Sequence, residues 1–114
     1  MSEHRFLFVC SQNKLRSPTA EQVFASWPGI EVSSAGTNRD AENPLTDELV
    51  EWADTIFVME RTHLNKVRGT YRRVLGSTRI VCLDIPDRFA FMDPTLVRLL
   101  RVKMDRHLPP RPVS

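Results

Sequence analysis

The sequence predicts an α/β protein: a four-stranded parallel sheet with helices on both faces, three layers deep. Three observations carry that expectation. Four short apolar runs, over residues 5–10, 30–34, 54–59 and 79–85, recur along the 114-residue chain, each of strand length. The first is continuously apolar rather than alternating, as a strand buried on both faces is. Helix signals follow every run, and strands that alternate with helices close into a parallel sheet.

Taken in order, residues 5–10 (RFLFVC) form the first strand. Ser17-Pro18-Thr19-Ala20-Glu21 then opens a helix, with Ser17 as expected N-cap, Pro18 at the first helical position and Glu21 adding early negative charge. Val23, Phe24 and Trp27 supply its apolar face, and Pro28-Gly29 stops it. Residues 30–34 (IEVSS) are the second strand. Residues 35–45, rich in Gly, Asn, Asp and Pro, are expected to be loop. Thr46-Asp47-Glu48 caps a short helix over Leu49, Val50 and Trp52. Residues 54–59 are the third strand, 61–74 a basic helix, and 79–85 the fourth strand. Asp93-Pro94-Thr95 opens a last helix reaching about His107. The expected organisation is one domain over 1–108 and a proline-rich tail over 109–114, extended or disordered because proline cannot continue a helix.

Composition narrows the function classes. At 41% hydrophobic and 26% charged, with net charge +2, the chain reads as an ordinary globular protein with no pull towards nucleic acid or membrane. Two cysteines, Cys10 and Cys82, make no disulfide framework, so a reducing compartment is expected. The run Phe6-Leu7-Phe8-Val9 is too short for a signal peptide or a span. A cytoplasmic protein is expected. The histidines His4, His63 and His107 are scattered without ligand spacing, so no metal and no cofactor are expected.

One stretch carries chemistry: Phe8-Val9-Cys10-Ser11-Gln12-Asn13-Lys14-Leu15-Arg16-Ser17-Pro18. A cysteine six residues before an arginine means little alone, since composition supplies about 0.2 such pairs by chance. The chain holds two, and they differ. Between Cys82 and Arg88 lie Asp84, Pro86 and Asp87, where two carboxylates repel an anion and proline removes a donor. Between Cys10 and Arg16 there is no acid and no proline, and a helix start follows. Backbone N–H groups in a curled loop make an anion site, and the helix N-terminus adds positive potential. The thiolate is the stabilised form of a cysteine placed there. Arg16 offers a planar fork for two phosphate oxygens. Ser17 can donate to the sulfur, and Asn13 tolerates the left-handed backbone a tight curl needs.

Val9 through Glu21 resembles the phosphate-binding loop of the low-molecular-weight protein tyrosine phosphatases, V-C-x-x-N-x-x-R-S-P-x-A-E. The resemblance continues at Ser33-Ser34-Ala35-Gly36-Thr37 and again from Leu45-Thr46 to Met59-Glu60. It implies Cys10 as nucleophile and Arg16 as phosphate clamp. Ser11, Gln12, Asn13, Lys14 and Leu15 would form the cradle, with Ser17 as the thiolate's partner and Ser34 as a support. The implied activity is metal-free hydrolysis of a phosphorylated protein or small aryl phosphate through a phosphocysteine.

The chain departs from that pattern in three places. The family's D-P-Y-Y-G loop, which supplies the general acid, is absent. Its nearest text is Ile85-Pro86-Asp87-Arg88-Phe89-Ala90-Phe91, so Asp87 is the expected acid and Asp84 the alternative, with Phe89 and Phe91 as expected pocket walls. The segments before Leu45-Thr46 and before the acid are both shortened. Leu15 replaces the second cysteine of some members, which removes a neighbouring thiol that could protect Cys10. The basic residues of 61–74 and of the last helix read as solvated faces. Two other readings stay open: arsenate reduction on the same fold, and a non-catalytic phosphate-binding module. Oligomeric state is not specified by the sequence.

Overall fold

A computed structural model describes residues 4–110 of the chain. Strands β1 (His4–Cys10), β2 (Ile30–Gly36), β3 (Thr55–Val58) and β4 (Arg79–Cys82) form one parallel sheet in the order β2-β1-β3-β4. Helices α1 (Arg16–Phe24), α2 (Asp47–Trp52), α3 (Arg61–Thr70), α4 (Arg72–Leu75) and α5 (Pro94–Met104) cover it, and α5 runs into a 3-10 turn at Asp105–His107. No described helix is long and apolar enough to cross a membrane.

The continuous apolar run of β1 has a direct cause. Successive strand residues point to opposite faces, and both faces here are covered. Phe6, Phe8 and Cys10 pack with Phe24 of α1 and with Leu96, Leu100 and Met104 of α5. Leu7 and Val9 pack with Val50 of α2 and with Leu64 and Val67 of α3. The expected three-layer arrangement is the observed one.

Boundaries differ where tertiary contacts decide them. The first helix begins at Arg16, and Ser17 is not its N-cap; Leu15 holds that place without a side-chain bond, because the Ser17 hydroxyl is taken by Cys10 and Asn13. It ends at Phe24, before Trp27, whose indole donates to the Pro109 carbonyl. Strand β2 runs on to Gly36 because Ala35 and Gly36 pair with Val9 and Cys10. The helix expected over 61–74 breaks at Tyr71, whose hydroxyl donates to the Leu45 carbonyl at 2.8 Å. Strand β4 stops at Cys82 rather than 85: Asp84 takes φ +54°, which ends an extended run. The caps at Thr46 and Asp93 sit where the sequence places them, accepting from Leu49 and Thr95. Residues 111–114 of the expected tail lie outside the described residues.

Candidate active site

Between β1 and α1 the chain curls tightly over residues 11–15. The carbonyls of this loop point outwards. Those of Cys10, Ser11 and Gln12 accept from the backbone N–H groups of Thr37, Asn38 and Glu42 at 2.9–3.0 Å. The N–H groups of residues 11–15 form no hydrogen bond with any described residue. Unpaired N–H groups on a curled backbone make a concave site of positive potential. Asn13 makes the curl with φ +56°, a conformation asparagine accepts more readily than most residues.

Gly36 makes the outward docking possible. A Cβ there would lie 2.6 Å from the Ser11 carbonyl oxygen and 2.5 Å from the Ala41 Cβ. Only glycine lets β2 approach the loop this closely.

Cys10 is buried at the floor, 4% exposed, with Sγ 2.9 Å from Ser17 Oγ. Asn13 Nδ2 donates to the same oxygen at 3.0 Å, which leaves the hydroxyl hydrogen free to point at the sulfur. Arg16 is equally buried. Its Nη1 donates to Glu60 Oε1 at 2.5 Å and to the Ile85 carbonyl at 2.8 Å. Its Nε stands 3.7 Å from Asp87 Oδ1, too far for a hydrogen bond, and Nη2 has no partner among the described residues. One edge of the guanidinium is anchored by hydrogen bonds; the other makes none and faces the Asp87 carboxylate.

These groups surround a hollow of about 90 Å³ lined by Cys10, Ser11, Gln12, Lys14, Leu15, Arg16 and Asp87. That is room for a small ligand or a few waters. Asp87 stands at its rim. Asp84 does not line it; its carboxylate accepts from the Cys82 thiol at 3.4 Å. Phe89 is buried in the core that α1 and α5 share. Phe91 lines a separate hollow with Pro18, Glu21, Gln22 and Ala25. Neither phenylalanine walls the hollow over Cys10. Ser34 is buried, but its hydroxyl bonds Glu21 of α1 rather than a loop residue.

Two residues that sequence reading does not single out sit beside the loop. Glu60 caps α3, and His63 completes a capping box with it. His63 Nδ1 accepts from the Glu60 backbone N–H at 3.0 Å, and Nε2 lies 2.9 Å from Ser11 Oγ. Burial, reinforced by the Arg16 charge, pushes the His63 pKa down to about 4. The signal available was Glu60-x-x-His63 directly after a strand, obscured because a capping box usually starts with Ser or Thr. No group of three or more His, Cys, Asp or Glu among the described residues is placed to hold a metal ion.

No protein-family model and no curated protein matches the chain. Solved structures do match. The arginine phosphatase YwlE from Geobacillus stearothermophilus is 23% identical, with 91% of this chain and 90% of that one covered and a TM-score of 0.75. The tyrosine phosphatase Wzb from Escherichia coli, solved with phosphate, is 20% identical over 92% and 96%, with a TM-score of 0.74. SP-PTP, a low-molecular-weight protein tyrosine phosphatase from Streptococcus pyogenes, is 15% identical over 93% and 94%, with a TM-score of 0.75. Over nine-tenths of its length, the chain has the fold of the low-molecular-weight protein tyrosine phosphatases.

Proposed function

We propose that the protein is a cysteine-dependent phosphatase acting on phosphorylated protein or aryl phosphate, without a metal. One observation carries the reading: a buried sulfur lies at the floor of a small hollow beside a loop whose N–H groups form no hydrogen bond with any described residue. The Cys10 thiolate attacks phosphorus. The bond from phosphorus to the leaving oxygen breaks, and Asp87 gives that oxygen a proton. Water then attacks the phosphocysteine, Asp87 takes a proton from it, and phosphate and the thiolate are released. The loop N–H groups and the open Nε–Nη2 edge of Arg16 stabilise the equatorial oxygens, while Glu60 and the Ile85 carbonyl hold the guanidinium in place. Asp87 is favoured over Asp84 because it lines the hollow and Asp84 does not.

A second substrate class, phosphoarginine, is favoured by the rim itself. No aromatic side chain lines the hollow, Asp87 offers a carboxylate to a guanidinium, and one structural neighbour is an arginine phosphatase. Arsenate reduction is less well supported. A thiol relay would need Cys82, which sits on β4, two strands from Cys10, with burial pushing its thiol pKa up.

The test is hydrolysis of p-nitrophenyl phosphate and of phosphoarginine by wild type, Cys10→Ser, Asp87→Asn and Asp84→Asn, followed across pH. Turnover abolished in Cys10→Ser, with the basic limb lost in Asp87→Asn alone, supports the assignment. Equal rates for wild type and Cys10→Ser would overturn it, and tight phosphate binding without turnover would point to a binding module.

A further inference from the structure

We propose that Ser11 is an additional oxyanion donor of the site and that His63 is the positioning residue that aims it; the proposal takes its substrate from the phosphatase reading above. The argument starts at Glu60. A backbone N–H can only donate, so His63 Nδ1, 3.0 Å from the Glu60 nitrogen, must present its lone pair. The ring proton is therefore on Nε2. That atom lies 2.9 Å from Ser11 Oγ and donates to it. His63 is 2% exposed, and the depressed basicity that burial and Arg16 impose keeps the ring neutral, in this one tautomer, through the physiological range.

The serine hydroxyl then has one lone pair occupied and its own hydrogen unspent. Among the described residues Ser11 Oγ has no other partner. The Ser11 carbonyl is tied back to the Asn38 N–H, which fixes the backbone of a residue that lines the hollow, and the His63 contact then holds its hydroxyl. A phosphoryl oxygen in that hollow is the acceptor the hydroxyl lacks. The chain of donors runs from the Glu60 backbone through the His63 ring to the Ser11 hydroxyl and ends at the oxyanion. Glu60 also holds Arg16, so the first turn of α3 orients both the first and the last side chain of the loop. A bare helix cap would need neither contact.

Variants separate positioning from capping. His63→Asn keeps an acceptor for the Glu60 N–H but is too short to reach Ser11. His63→Gln carries an amide N–H near the place of Nε2. The readout is protection of Cys10 from iodoacetamide by inorganic phosphate, followed by peptide mass spectrometry, which needs no turnover. Thermal unfolding and kcat and KM on p-nitrophenyl phosphate are measured on the same proteins. Ser11→Ala and His63→Asn should each weaken phosphate binding about ten- to a hundredfold, the range for one hydrogen bond to a charged acceptor. The double variant should be no weaker than either single one, and His63→Gln should recover part of the loss. Additive losses, or a His63→Asn protein that melts earlier with phosphate affinity unchanged, would overturn the proposal. Turnover by wild type with Ser11→Ala unaffected would sink the Ser11 donor and leave the phosphatase reading standing. Phosphate protection that depends on Ser11 and His63, without any turnover, would do the reverse.

Discussion

Two residues beside the loop over residues 11–15 make specific demands on the fold. Gly36 lies so close to the Ser11 carbonyl that a single methyl group cannot be added without moving one of them. Gly36→Ala should cost about 1–3 kcal/mol, the usual penalty for overpacking, and should lower kcat/KM because the displaced carbonyl carries the cradle with it. Urea unfolding and steady-state kinetics on one preparation check both; unchanged kinetics would mean the loop docks elsewhere. His63 makes stability depend on pH. Its pKa is about 4 in the folded protein against 6.5 for an unperturbed histidine. Between these values the unfolded chain binds the proton and the folded chain does not. Stability is therefore fully present above about pH 6.5 and falls as pH drops towards 4, by about 3 kcal/mol in total. Unfolding of wild type and His63→Gln at pH 7 and 4.5 should show a slope in the first that is absent in the second.

Elements that announce themselves locally are the ones the sequence makes legible. Thr46 and Asp93 are read as caps because each cap and its helix lie within four residues. Thr46→Ala should lower stability by about 1 kcal/mol, visible as an earlier thermal transition with kcat unchanged. The start of α1 and the end of β4 are misread for different reasons: the Ser17 hydroxyl goes to Cys10, seven residues back, rather than to the helix end, and β4 gives way to a turn that brings the Ile85 carbonyl to Arg16, 69 residues away in sequence. The same division runs through the candidate site. The stretch over residues 10–17 is contiguous, so its cysteine, asparagine, arginine and serine can be read together. Glu60 and His63 come from the end of another strand, forty and more residues away; Met59-Glu60 falls in a stretch that resembles the same family, but no local pattern assigns either residue a contact with the Cys10 loop. Phe89 and Phe91 attract attention by nearness to Asp87, but burial in the core is the stronger pull on Phe89.

On the scale of the whole molecule, the parallel sheet separates stability from chemistry. Its carboxyl ends carry Cys10, the Met59-Glu60 step and the turn towards Asp87, as parallel sheets place their ligand sites. The body between the two helical layers carries the packing. Phe57 is its centre: its ring meets Phe6 at 4.9 Å, Phe8 at 5.5 Å and His107 of the 3-10 turn at 5.1 Å, and the residue is fully buried. Phe57→Ala removes all three contacts and leaves a cavity, which costs about 3–5 kcal/mol in a core of this kind. A domain of this size has about 5–15 kcal/mol in total, so the variant should unfold at a much lower urea concentration with a similar slope. Its side chain shares the α1 and α5 layer with Cys10, but it sits level with Phe8, two residues short of the strand end that carries the thiol. The folded fraction of Phe57→Ala, assayed well below its transition, should therefore keep the wild-type kcat. A fall in kcat beyond the loss of folded protein would show that the core and the loop after β1 are mechanically coupled, and that the sheet does not insulate one from the other.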